Sequence, residues 1–231
     1  MLRHSVLWIM RDPLSEEART AMLRRLAYLG TECPSVSSGD YGADLFGGSE
    51  VLHRIRPSQR QPIWRRNADG PVCNFDMALH LDFADWDAFR EYAVDPTHDA
   101  ASRENEAANW DELTARCDWY YEGDAPPTRA GNVKHVAMFV WADGVPDALR
   151  QDALEAVQAL AEAEEVEALM TGHNVGQLAT DYDWIMDLRV ADRAAASRLL
   201  EGGAYREAME AVARATRFEW TARMSHVMHR P

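Results

Sequence analysis

Hydrophobic residues along the chain change their spacing in an order that occurs twice. Residues 2–11 read as a strand around Leu2, Val6, Leu7, Trp8 and Ile9. Pro13 followed by Ser15-Glu16-Glu17 then supplies a turn and an N-cap for a helix with Ala18, Met22, Leu26 and Leu29 on one face. A short strand is predicted near 36–39 and an alternating one at 74–83. Next come a helix capped by Asp85 that carries Trp86, Phe89 and Tyr92, and a last strand at 116–121. Pro96 is expected to end that helix. The succession repeats as a helix at 147–163, strands at 167–171 and 181–190, a helix at 194–200 and a strand at 223–227.

Residue identities follow the same repetition. Leu2-Arg3-His4-Ser5-Val6 is answered by Val133-Lys134-His135-Val136-Ala137, so His4 maps onto His135, an offset of 131 positions. Farther on, Phe75-Asp76 is answered by Tyr182-Asp183, Phe83-Ala84-Asp85 by Val190-Ala191-Asp192, and Thr114-Ala115-Arg116 by Thr221-Ala222-Arg223, all at an offset of 107. The fall in offset means that the first copy carries about 24 extra residues, placed mainly in 45–72. The expected organisation is a first repeat over 1–123 with that insertion, a Pro- and Gly-containing linker at 124–131, and a second repeat over 132–231. The fold class is α+β. Each β-α-β-β-α-β unit is ferredoxin-like, and its sheet has one face without helices, so two units are expected to close sheet on sheet into a pseudo-dimeric barrel within one chain.

Composition narrows the function classes. A net charge of −14 and a pI near 4.9 repel phosphate backbones and anionic lipid, so nucleic-acid and membrane partners are not expected. With 47% hydrophobic residues but no long apolar run and no leader-like start, a cytoplasmic globular protein is expected. Cys33, Cys73 and Cys117 are odd in number and widely spaced, which supports neither a disulfide framework nor a metal site. His226 and His229 sit three apart on a predicted strand and should face opposite ways, so no metal is expected there either. Thr171-Gly-His-Asn-Val-Gly176 reads as a turn between strands rather than a phosphate cradle.

Candidate chemistry gathers in the first copy. Tyr92, Pro96 and His98 place a phenol and an imidazole about a helix-ending proline, and Asp118 on the last strand is expected to orient the imidazole of His98. The set would move protons without a cofactor. His80 and Asp82 alternate onto one face of the third strand, answered by Asp187 and Arg189, so that face is polar in both copies. The insertion holds Arg54, Arg56, Arg60, Arg65 and Arg66 among prolines, and it either lies over the acidic surface through ion pairs or forms a lid in which Trp64 and Arg65 meet an anionic substrate group.

The basic-His strand starts (Arg3-His4, Lys134-His135), the aromatic-Asp strand (Phe75-Asp76) and the segment Tyr92, Pro96, His98 resemble the stress-responsive A/B barrel (Dabb) group of dimeric α+β barrel proteins. The resemblance covers most of both copies outside the insertion and linker. It implies the barrel fold and a likeness to polyketide cyclases of the olivetolic acid type. On that likeness His98 is the general base, Asp118 its orienting carboxylate and Tyr92 a substrate holder, with His4 lining the pocket. Apart from the likeness, Trp8 and His80 are also expected to bind substrate, although the face of His80 could instead line the barrel seam or pair charges across it. The implied function is a cofactor-independent cyclase, lyase or isomerase acting on a small molecule, with a further homodimer open. Barrels of this kind also resemble cofactor-free or haem-binding monooxygenases, and non-catalytic stress or binding proteins occur in the group. Carrying the 107 offset through turns Tyr92 into Leu199, His98 into Tyr205 and Asp118 into Ser225, so the second copy is expected to be structural.

Overall fold

The computed structural model describes residues 1–10, 15–46, 75–109, 114–123, 131–176 and 182–230. Strand β1 (Leu2–Trp8) leads to helix α1 (Glu16–Glu32), which starts where Ser15 Oγ accepts the Ala18 amide at 3.1 Å and buries Met22, Leu26 and Leu29. Strands β2 (Ser38–Ala43) and β3 (Met77–Phe83) follow. Asp85 Oδ1 then accepts the amides of Asp87 and Ala88 to start helix α2 (Trp86–Ala93). Pro96 does end α2, but it also opens helix α3 (Pro96–Ala108). Asp95 caps α3 by accepting the Thr97 amide, and proline at a first helical position gives up no hydrogen bond. Strand β4 (Ala115–Tyr120) completes the unit.

The second unit runs β5 (Val133–Phe139), α4 (Asp147–Gln158), β6 (Val166–His173), β7 (Trp184–Val190), α5 (Arg193–Glu201), α6 (Gly203–Ala215) and β8 (Ala222–Val227). Here too a second helix, α6, follows α5 where the hydrophobic pattern indicated one helix alone. Each unit forms a four-stranded antiparallel sheet, ordered β2-β3-β1-β4 and β6-β7-β5-β8.

Strand alternation sorts the side chains into three layers. His4, Val6 and Trp8 of β1 face α1–α3, and β5 and β7 pack likewise on α4–α6. The opposite faces meet one another through Leu7, Ala78, Cys117 and Trp119 from one sheet and Val136, Met138, Ile185 and Met224 from the other. Strand edges close the barrel: Tyr41 and His229 exchange both backbone hydrogen bonds at 3.0 Å, and Val175 N donates to Asp118 O at 2.7 Å. Glycine permits the second approach, because a Cβ on Gly172 would lie 2.2 Å from Cε3 of the fully buried Trp119. Among the described residues no helix is long and apolar enough to cross a membrane.

Between the sheets the charged side chains are almost wholly buried. Arg3 donates to both carboxylate oxygens of Asp82 (2.7 and 3.0 Å) and to Asp187 Oδ2 across the barrel (2.8 Å). Lys134 Nζ donates to Asp40 Oδ2 at 2.7 Å and lies 2.9 Å from Asp187 Oδ2. Each cation thus meets two carboxylates, which offsets the desolvation that a lone buried charge would suffer.

Candidate active site

Between the first sheet and its helices lies a cavity of about 80 Å³, reached by His4, Val6 and Trp8 of β1, Leu79 of β3, Arg116 of β4, Leu29 of α1, Tyr92 of α2, and His98, Ser102, Asn105, Glu106 and Asn109 from α3 and its C-terminus. Tyr92 and His98 therefore meet as the sequence indicated, with ring centroids 4.3 Å apart. The proline that separates them redirects the chain into α3, whose first turn carries His98 over the end of α2.

Asp118 does not serve His98. In the register of β1 with β4 it stands opposite His4, and its Oδ1 lies 2.5 Å from His4 Nδ1. Both side chains are buried, and the His4 ring also packs on Phe89 at 5.2 Å. His98 instead shares a hydrogen bond between Nε2 and Ser102 Oγ at 3.2 Å. Its pKa is pushed down by burial and by the charge of His4, with a backbone hydrogen bond at Ala93 and the charges of Asp95 and Asp99 pulling the other way. Burial pushes the Tyr92 phenol well up, so that it stays protonated. The Cys33 thiol is likewise raised, to about 11, by burial and then by Asp95, which leaves it a poor nucleophile at neutral pH.

Asp118 is held from the second half of the chain. Asn174 Oδ1 accepts the Asp118 amide at 3.1 Å, the Val175 amide meets its carbonyl, and a Cβ on Gly176 would stand 3.0 Å from Asp118 Oδ2. Thr171, Gly172 and His173 of the expected turn belong to β6, and only 174–176 follow the strand, where they hold the backbone of Asp118.

The other expected residues separate. Trp8 lines the cavity, whereas His80 faces the opposite way into the space between the sheets, where Nδ1 meets Ser5 Oγ at 3.0 Å. Period-two alternation put His80 with Asp82, and Arg3 indeed pairs with Asp82 on that face. Trp64 and Arg65 lie outside the described residues. Ser102, Asn105, Asn109 and Arg116 were not singled out from the sequence. A signal existed for two of them: Ser102 is one helical turn past His98, and Arg116 is two strand positions before Asp118.

In the second half both ring nitrogens of the equivalent histidine, His135, are engaged. Ser225 stands opposite His135 as Asp118 stands opposite His4, with Nδ1 to Ser225 Oγ at 2.8 Å, while Nε2 is engaged by Tyr205 Oη at 2.8 Å. Burial, then Arg223, holds the pKa of His135 down to about 3. Tyr205 stands where His98 stands in the first half, and its phenol occupies the ring nitrogen that a substrate would need.

Three solved structures align with nearly the whole chain. An anthrone oxidase-like protein matches with a TM-score of 0.63 at 10% identity, over 100% of this chain and 92% of its own. This is the ferredoxin-like α+β barrel fold. A candidate monooxygenase from Fusobacterium nucleatum matches with a TM-score of 0.57 at 7% identity, over 98% of this chain and 91% of its own. Another, from Lactobacillus acidophilus NCFM, gives 0.52 at 13% identity, over 99% and 92%. No protein-family model and no curated protein matches the sequence. At these identities the likeness is one of fold, and the polyketide-cyclase expectation rests on the first half's residues alone.

Proposed function

We propose that the first-half cavity belongs to a cofactor-independent acid–base enzyme acting on a small molecule, in which His4 removes a proton from an acidic C–H beside a carbonyl. The observation that carries this reading is the 2.5 Å contact between His4 Nδ1 and Asp118 Oδ1. With Nδ1–H donated to the carboxylate, Nε2 becomes the basic nitrogen, and the imidazolium formed by proton transfer stays beside an anion. His98, kept neutral by its surroundings, is the second proton carrier. Tyr92, kept protonated, donates to the developing enolate oxygen, with the charge of Arg116 on the same wall. At about 80 Å³ the cavity is well below the roughly 300–1,000 Å³ usual for drug-sized ligands, so it takes the reacting end of a substrate rather than the whole of a long one. Cyclisation of a β-ketone, β-elimination and double-bond isomerisation all begin with this abstraction.

A second reading is favoured by the full-length neighbours, which include an anthrone oxidase-like protein and candidate monooxygenases. There the same dyad would deprotonate a phenolic substrate ahead of its reaction with dioxygen. One experiment separates the two. A panel of β-ketoacids and β-diketones is incubated with the protein in D2O and α-proton exchange is followed by NMR, while hydroquinones and anthrones are followed by oxygen uptake. Exchange that falls at least tenfold in both His4→Gln and His98→Ala supports the carbon-acid reading. Oxygen uptake lost in the same variants supports the second. Wild-type protein inert in both assays, or variants as active as wild type, overturns the site.

A further inference from the structure

Three lone-pair atoms from three strands point into one space between the two sheets, on the far side of β1 and β3 from the cavity. They come from Asp40 of β2, His80 of β3 and His226 of β8, each of which offers one ligand atom within 4.8 Å of the other two. All three residues are buried, at 3%, 0% and 0% exposure, and Asp40 Oδ1, His80 Nε2 and His226 Nε2 have no hydrogen-bond partner among the described residues. Unsatisfied polar atoms at that depth are uncommon, and three together call for an occupant.

What surrounds them narrows the occupant. His226 Nδ1 donates to the Val227 carbonyl at 3.0 Å, which fixes the tautomer and leaves Nε2 as an acceptor. His80 Nδ1 meets Ser5 Oγ, which also accepts from Trp119 Nε1 at 3.2 Å, so His80 can donate there and likewise leave Nε2 free. Burial keeps both imidazoles neutral, the form that ligates. Burial alone would raise the Asp40 carboxyl, but Lys134, then His226 and Arg3, hold it below its usual range and so ionised. The pocket therefore offers three acceptors, and a single water has two hydrogens. A cation satisfies all three.

We propose that Asp40, His80 and His226 form a binding site for a divalent first-row transition-metal ion, of the class that two imidazoles and one carboxylate select. His226 Nε2 and Asp40 Oδ1 are 3.8 Å apart, and ligand atoms of a tetrahedral ion at ~2.1 Å stand about 3.4 Å from one another, so the set closes on the ion by side-chain rotation of less than about 1 Å per atom. The two imidazole rings now lie nearly parallel, at 12° and 5.7 Å between centroids, and one tilts to bring its lone pair into line. The second oxygen of Asp40 stays with Lys134. Asp187, held ionised by Lys134 and Arg3 despite its burial, faces His80 from the other sheet. A fourth position remains for water. Asp40 and His80 stand opposite each other in the register of β2 with β3, and barrel closure adds His226 of β8, so the ligands lie far apart in the chain and no ligand spacing could signal them. The site is separate from the His4–Asp118 dyad and does not depend on the reading of that dyad.

Cobalt(II) is the probe. Full-length protein stripped with chelator is given Co2+ directly and, because the site is enclosed, also during refolding from urea. Retained metal is counted after gel filtration, and the visible spectrum is recorded. The expected result is one equivalent of Co2+ with d–d bands and no thiolate charge-transfer band. His80→Gln and Asp40→Asn should weaken retention at least tenfold. Where either variant fails to fold, the wild-type spectrum decides alone. Absence of retained cobalt by both routes, a thiolate band, or unchanged retention in folded variants overturns the proposal, the first of these leaving a buried water as occupant.

Discussion

His135 gives the sharpest quantitative expectation. Its imidazole lies between Ser225 Oγ and Tyr205 Oη, wholly buried, with its pKa brought from the ordinary 6.5 to about 3. A base whose folded pKa is depressed takes up its proton more readily in the unfolded chain. Its neutral form therefore costs nothing above pH 6.5, and stability drains away as the pH falls from 6.5 toward 3. At ~1.36 kcal/mol per pH unit the full loss is about 5 kcal/mol, and at pH 5 it is about 2 kcal/mol relative to pH 7.5. The assay is urea unfolding at fixed pH values between 7.5 and 5, comparing wild type with His135→Gln, whose amide can still reach Ser225 and Tyr205. Other buried histidines destabilise both proteins alike and cancel. Wild type should lose about 2 kcal/mol more than the variant over that range. Parallel pH profiles would show that His135 is not held neutral, and the reading of the second half as structural would go with them.

Two further outcomes follow from the barrel's closing edges. Gly172→Ala should destabilise by at least about 2 kcal/mol, because its Cβ meets the immobile ring of Trp119, and calorimetry should record a lower midpoint or the soluble yield should fall. Asn174→Ala removes a hydrogen bond to the Asp118 amide. It should lower proton-exchange activity several-fold and leave the unfolding midpoint within what ~1 kcal/mol accounts for, and unchanged activity would separate the β6 turn from the dyad.

Much of the architecture was legible because local chemistry and long-range pattern agreed. Ser15 and Asp85 cap the helices they were expected to cap, and the repeated strands form two equivalent sheets. The helices α3 and α6 escaped because their opening residues, Pro96 and Gly203, are breakers inside a helix yet harmless at its first turn. The pairing of Asp118 was misread for another reason: sequence proximity of roles suggested His98, whereas cross-strand register decided for His4. The signal was available, since the order β2-β3-β1-β4 sets the first and last strands of a unit side by side. The clamp by Asn174 was not legible at all, because it depends on how the edge of one sheet meets the other.

The charged layer between the sheets also bears on symmetry. In a barrel built from two identical chains, every residue near the two-fold axis must be compatible with its own copy. Here Arg3 and Lys134 hold equivalent positions, as do His80 and Asp187, and Asp82 and Arg189. Arg3 crosses to Asp187 and Lys134 crosses to Asp40. Two first halves facing each other would set Arg3 against a histidine in place of Asp187, and two second halves would lack Asp40 entirely. The carboxylates that meet Arg3 and Lys134 across the seam, Asp187 and Asp40, each occur in one half only, so the pairing seen here needs unlike halves.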